Sequence, residues 1–535
     1  MGELTIVRQD DFTGGLNLRA DQFQLAENES PRMLNVEIDP RGGVFSRGAM
    51  RRINSTPVVA SDWNPQNCFA FNGTSNFLML STAPAGGSQG GVYYSTNSDA
   101  TSIGVSVSSS FGAGFASWGS TLYMSTGGVG YKWSGAGSAT TLTASQAGAF
   151  QDNYLTPTGT HMPIANLIAT HAGKLWVANT TEGGTAHPNR IRWSHENSPE
   201  SWASDDFIDI NDGGQGIVAI VPFAGHLVVF KPKAVYAIFG YDSDTFQVVQ
   251  ATDKVGCVNS HAVIATESGV FFFSWPDGLF VYTGNQVADV FTQIRPIIQL
   301  GLVTSTSKDK IWLSNINRRI WLSLPYQEDG TSTSSPSYSF VFDPSLGQGG
   351  AYTLFRTSDN YGVAGGTTVA FTSGQVVHAA LHPVQARILS VDLYSFDNDN
   401  ITGTDVAFDS LYRTRFIDGG NYSQKKMFRR PDLIVKQSND QRTLQVRVYH
   451  DYEEAAGNEQ RIFNLLLEAG GSGGRWGEMV WGTDVWGSES QGSFLKTGSN
   501  LGLARSTQLE IVGSPGYSWG IDSIAFKYTP RRVRS

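Results

Sequence analysis

Along most of the chain, runs of four to eight residues rich in Val, Ile, Phe, Tyr and Trp alternate with clusters of Gly, Asn, Asp and Ser. Runs of that length, bounded by such turns at a spacing of about 8–12 residues, predict short antiparallel strands. Arg190–Gly240 displays the pattern: a strand at Arg190–Ser194, a polar loop holding Pro199 and Trp202, then three short strands separated by Gly-rich turns. It reads as one β-meander, a single repeat unit whose Trp193, Trp202, Phe207, Phe230 and Phe239 pack its faces rather than a ligand. Units of the same kind are expected at Cys68–Tyr94, Gly114–Trp133, Leu167–Trp193, Ile217–Phe239, Ala262–Tyr282, Ile311–Phe342 and Val369–Leu393. The phrases AFNGTSNFLMLST, ATHAGKLWVANTT and ATESGVFFFSWPDG each set a turn residue before an apolar run. A period of roughly 40–50 residues with about four strands per unit predicts a β-propeller, because no single blade covers both its faces without neighbours. About seven blades, within a range of six to eight, are expected over residues 61–396; the competing arrangement is a string of ordinary sandwiches with similar hairpins.

The two ends of the chain read differently. Residues 1–60 form a leader with a strand at Leu4–Val7, a turn at Gly14-Gly15 and a hairpin over Val36–Phe45 that reverses on Gly42-Gly43. Ser30 followed by Pro31 is an N-cap with proline at the first helical position, which predicts one short helical turn. This leader is expected to close the propeller or to pack on the C-terminal domain. DNDNITGTD, residues 397–405, reads as a solvated linker, and Ser95–Ser110 and Gln327–Ser337 as surface loops. From 406 to 535 the strands lengthen, and Leu444, Val446 and Val448 alternate with Gln445, Arg447 and Tyr449, which predicts an antiparallel β-sandwich with one core face. Its Trp/Gly-rich insertion, residues 470–500, places Trp476, Trp481 and Trp486 five apart, a spacing that suits one face of neither a helix nor a strand. At least one of these indoles is therefore a candidate contact residue, with a local Trp cluster capping the sandwich as the alternative.

Composition narrows the function. Net charge is −9 over 535 residues, so no global basic field is present to hold nucleic acid. Charged residues make up 16%, below the usual value of about 25%, while glycine numbers 60, which favours many tight turns. Two cysteines, Cys68 and Cys257, make no disulfide framework and suit a reducing compartment. The start MGELTIVRQDDF has no apolar signal region, and Gly216–Phe230 is broken by Pro222, Gly225 and His226, short of the ~20 apolar residues that span a bilayer. Neither a signal peptide nor a membrane span is expected.

Catalytic patterns are thin. No HExxH and no phosphate-cradling GxxxxGK[ST] occurs, and Gly86–Gly90 matches GxSxG without the helix that a nucleophile elbow requires. The nine histidines are scattered, and Asp397, Asp399 and Asp405 lack the glycine and the bidentate acid of a calcium loop. The expectation is no enzyme, no metal and no cofactor. Against the acidic whole stand Arg413, Arg415, Lys425, Lys426, Arg429 and Arg430, with Arg531, Arg532 and Arg534 at the end of the chain. They read as a solvated face or as a docking interface for an acidic protein partner, ahead of DNA, since no recognition helix accompanies them.

Three stretches carry a family resemblance. DDFTGGLNLRADQFQLAENESPRMLNVEIDPRGGVFSRGAMRRI is one; the order Trp193-Ser194, a Pro-x-x-Trp loop, a Gly-rich turn and VVFKPKAVYAIFG is the second; LYRTRFIDGGNYSQKKMFRRPDLIV is the third. Together they resemble the tail-tube, or nozzle, proteins of short-tailed bacteriophages. The resemblance implies six copies in a conical tube below the portal and adaptor rings, with propellers as its wall and the C-terminal domain as a platform. It implies a virion protein, made in the host cytoplasm, whose partners are further copies of itself, the adaptor ring and tail fibres or spikes. Genome DNA would be retained in the lumen and then ejected, and an acidic lining would keep phosphate from sticking. Two other classes stay open: a propeller glycosidase acting on polysaccharide, which needs paired carboxylates about 5–9.5 Å apart, and a receptor-binding tail protein, which predicts trimers.

Overall fold

The computed structural model describes residues 3–21, 23–86, 88–145, 161–242, 244–326, 335–347, 349–391, 398–436, 442–453, 457–467 and 493–531. The protein is nearly all β; among these residues the helices are one turn at Pro296–Gln299 and a 3-10 segment at Ser305–Lys310. Small antiparallel sheets follow one another from Pro65 to Val391, each built from adjacent strands in chain order. The first runs through Pro65–Asn72, Asn76–Thr82, Gly90–Ser95 and Thr101–Val107, and the second through Gly114–Trp118, Thr121–Ser125, Tyr131–Trp133 and Thr140–Thr141. The third adds a parallel strand, Thr143–Ser145, to His161–His171, Lys174–Glu182, Thr185–Trp193 and Phe207–Asp209. Sheets beginning at Ala219–Phe223, Val263–Thr266, Trp312–Ile316 and Gly366–Ala370 complete the series. The opening strand of each sheet, His161–His171 in the third, touches that of the next, and Gly366–Ala370 returns to touch Pro65–Asn72. This closed circuit of small sheets is consistent with a β-propeller, and the two larger C-terminal sheets with a sandwich.

Local sequence explains the turns. Ala172-Gly173 and Ala224-Gly225 carry positive φ in the hairpins that link His161–His171 to Lys174–Glu182 and Ala219–Phe223 to His226–Phe230. Two-residue hairpins need that left-handed twist, which glycine adopts without steric cost. Large apolar side chains then pack within and between sheets: Trp176 and Trp193 meet across paired strands with ring centroids 5.2 Å apart, and Phe230 meets Phe272 of the next sheet at 5.0 Å.

The leader belongs to both halves. Thr5–Gln9 pairs with the long strand Gly520–Pro530, which also receives the hairpin Val36–Ile38 and Val44–Ser46. Arg32–Leu34 joins a five-stranded sheet through Ser410–Arg413, followed by Thr507–Gly513, Arg442–His450 and Arg461–Leu467. Met50–Arg52 then crosses over and becomes the fourth strand of the last small sheet, against Ile388–Val391. One continuous apolar cluster consequently contains Phe12 and Val36 of the leader, Phe272 and Phe340 of the small sheets, and Leu433 and Phe526 of the C-terminal sheets.

Four expectations are corrected. Ser30-Pro31 starts no helix: Glu29–Ser30 pairs with Gly15–Leu16, and the Ser30 hydroxyl donates to the Arg413 carbonyl at 2.7 Å, so tertiary strand partners outweigh the local cap. Asp399 of the expected linker is wholly buried rather than solvated, in a bridge of Asn398–Asp399 to Val406–Ala407. Ser95–Ser110 is no simple loop, since Thr101–Val107 is the outer strand of the first sheet. Arg190–Gly240 straddles two sheets, supplying the outer part of the third and the first three strands of the fourth. Trp193, Trp202 and Phe230 within it are buried, whereas Phe239 is 39% exposed.

Candidate functional site

The leader is fastened by charge as well as by ladders. Arg47 and Asp399 form a buried ion pair, their side chains 1% and 0% exposed. Both Nη atoms of Arg47 donate to Asp399, at 3.0 and 2.8 Å, while its other protons reach Asn35 Oδ1 and the carbonyls of Gly48 and Arg356. Asp399 accepts two further bonds from the backbone N–H of Met50 and Ser358. Such a pair repays its desolvation only because every donor and lone pair is occupied. Nearby, Glu37 of the leader hairpin accepts from Arg319 at 3.0 Å, and Arg319 also donates to Asp343. Burial pushes the Glu37 carboxyl up, against the pull of Arg319.

The predicted basic cluster divides. Arg413 and Lys426 are 4% and 1% exposed and are not surface groups. Arg413 pairs with buried Glu510 beneath the Tyr449 ring, and Arg447 reaches the same carboxylate at 3.2 Å. Lys426 Nζ donates to the carbonyls of Asn421, Gln424 and Arg505, and burial lowers its pKa. Both are corrected from docking to structural positions: period-two alternation turns Lys426 and Phe428 inward and Lys425, Met427 and Arg429 outward. Arg415 is half-buried and bonds Glu27 at 2.8 Å. Lys425, Arg429, Arg430 and Arg531 are exposed and make no side-chain ion pair among the described residues. Trp476, Trp481, Trp486, Arg532 and Arg534 lie outside the described residues.

Among the described residues, two clefts could admit a small ligand. One of about 420 Å³ opens between leader and ring, lined by Asp11, Thr13, Asn28, Glu29, Gln293 and Gly347. Its two carboxylates are already engaged: Asp11 accepts from Thr13 N–H and Asn28, Glu29 from Asn17 and Ala26 N–H. In Asp11 burial works upward, yet the bonds from Thr13 and Asn28 prevail and hold the carboxyl below its usual range, the reverse of what a general acid needs. The second cleft, about 190 Å³ on the second sheet, has Trp133 and one lining carboxylate, Glu200, bound to Lys132 at 2.7 Å and to the Tyr123 hydroxyl at 2.8 Å. Ser88 of the GxSxG match donates to Asp62. No group of three or more His, Cys, Asp or Glu poised for a metal occurs among the described residues.

Sequence reasoning missed the Arg47–Asp399 junction because its halves lie 352 positions apart. The one available signal was the concentration of arginines at Arg47, Arg51 and Arg52, just before the first small sheet.

No protein-family model and no curated protein matches the chain. Among solved structures it is similar to PorZ, a surface component of the type-IX secretion system of Porphyromonas gingivalis, at 10% identity and a TM-score of 0.34. That match covers 66% of this chain and 40% of PorZ. The extracellular domain of the one-component system BT4673 from B. thetaiotaomicron matches at 11% and 0.36, over 92% of this chain and 62% of that one. A glycoside hydrolase matches at 9% and 0.26, over 89% and 100%. None of the three is a tail nozzle. At these scores they say nothing further of function.

Proposed function

We propose that the chain is a structural component of a short-tailed bacteriophage tail: a seven-bladed propeller on a C-terminal platform, assembled as a ring-shaped nozzle through which genome DNA is held and then ejected. The observation that carries this reading is the double attachment of the leader. Its strands enter the C-terminal sheets and the last small sheet, and Arg47 clamps the crossing. Neither half can turn against the other without breaking a ladder or uncovering a buried charge, which suits a wall under load. The three family-like stretches supply the tail. A ring of identical copies needs heterologous contacts that close on rotation, and the exposed Lys425, Arg429, Arg430 and Arg531 suit protein docking. Its place is then the virion, its copy number six, and its chemistry none. Negative-stain microscopy and mass photometry of the purified chain test this: a six-fold ring with an open lumen is expected. A stable monomer overturns it, and a trimer favours the receptor-binding class.

A polysaccharide-acting protein is the second reading: Asp11 and Glu29 share one cleft, and since Thr13 and Asn28 hold Asp11 ionised, Glu29 would have to supply the proton. Incubation with host capsule or lipopolysaccharide would then release reducing ends, and Asp11→Asn or Glu29→Gln would abolish the release. No release from the unaltered chain removes this reading.

A further inference from the structure

The outer strands of the small sheets differ in what they show to solvent. Thr140–Thr141, Phe207–Asp209 and Val287–Asp289 are two or three residues long, and Thr101–Val107 exposes only Thr, Ser and Gly. Ala351–Phe355 is covered by the leader. Short, polar or covered edges are how sheets avoid pairing with other chains. Gln247–Thr252, the outer strand of the fourth sheet, departs from this rule. Its first four residues are exposed, Val248 by 39% and Val249 by 48%. Tyr241, 73% exposed, and Phe239 extend the apolar surface. Asp242 and Asp244 stand at one end and Asp253 at the other, all exposed and without an ion pair among the described residues.

A surface of opposite character lies on the C-terminal sheet. Lys425, Met427 and Arg429 face outward; Leu503, 41% exposed, is opposite Met427; and Arg531 N–H bonds the Lys425 carbonyl. The result is an apolar centre with a basic rim, which matches an apolar strand with acidic ends. Charge along the chain has the same asymmetry: residues 406–535 hold 17 Lys and Arg against 14 Asp and Glu, so their net charge is +3 and that of the rest −12.

We propose that strand Gln247–Thr252 of one copy docks on the Met427–Leu503 patch of a second copy, its aspartates meeting Arg429, Arg430, Lys425 and Arg531. This rests on the ring reading above and names the surfaces that would close it. The contact is heterologous, so each copy offers both halves, and opposite charges set its register and encounter rate.

Charge exchange in the full-length chain tests it, with sedimentation velocity as the readout and thermal unfolding as the control for folding. Arg429→Glu with Arg430→Glu, or Asp242→Lys with Asp244→Lys, is expected to weaken self-association at least tenfold, and the four substitutions together to restore it to within about threefold. Val249→Lys, on an exposed site, is expected to weaken it alone. Assembly indifferent to both exchanges, or a combined variant no better than the weaker pair, overturns the contact while leaving the ring standing. An unaltered chain that stays monomeric overturns both.

Discussion

Arg192 carries a full charge into the third sheet at 2% exposure, and Glu182 answers it through two bonds of 2.7 and 2.9 Å while also binding Arg190 and Thr180. Burial works to raise the Glu182 carboxyl, but the arginines prevail and bring it down to about 2. A carboxyl depressed on folding stabilises above its unfolded pKa of about 4.5 and loses that contribution as pH falls towards 2, on the order of 3 kcal/mol in all. Glu182→Gln is expected to cost about 3–5 kcal/mol at neutral pH, because buried Arg192 loses the charge that Glu182 brings to it, and to flatten the acid limb of stability in urea titrations. His261 acts in the same pH direction. It stacks on Trp312 at 4.7 Å with Nε2 on the Asp309 carbonyl, and burial lowers its pKa to about 4. The folded state prefers the neutral ring, so stability declines as pH drops from about 6.5 to 4, by about 2 kcal/mol once partial exposure is allowed for. His261→Gln should remove that decline, seen in thermal melts across the interval. Neither role was legible in sequence: histidine and glutamate look alike on a surface or in a core until neighbours from other strands are placed.

At the scale of elements, strand and turn identity followed from local pattern, and the exceptions are instructive. Leu444, Val446 and Val448 face the core as their alternation requires. Ser30-Pro31 carries a sound helix-start signal, yet Ser30 is extended because partners far along the chain offer it a ladder and a carbonyl. The leader itself is such a partner. Removing residues 1–53 would leave the edge of Ile388–Val391 and one side of Gly520–Pro530 without their strands. Unpaired edges beside an opened core invite aggregation, so the truncated chain is expected to lose its single cooperative unfolding transition and to precipitate. A soluble product with an unchanged far-ultraviolet spectrum would show that the leader is dispensable.

For the whole molecule, the separation of charge is the property with consequences. A chain of −9 whose last 130 residues are positive attracts copies of itself in one orientation, and that attraction is screened by salt. Raising ionic strength from about 50 to 500 mM shortens the screening length about threefold; self-association is expected to weaken at least tenfold over that range, measured by sedimentation. Association that strengthens with salt would point instead to apolar contacts such as Val248 and Val249 acting alone.

The residue pattern by itself determined that the chain is nearly all β, where most strands begin and turn, and that the small units repeat, because strand periodicity and turn chemistry act over a few residues. It also marked Lys425 to Arg430 as unusual for so acidic a chain. Tertiary structure alone decided that Lys426 faces inward and Arg429 outward, that Arg47 meets Asp399, and that the leader completes a sheet begun three hundred residues later. Those outcomes depend on which distant backbone edges and buried charges come together, and no local spacing encodes the partner of an edge.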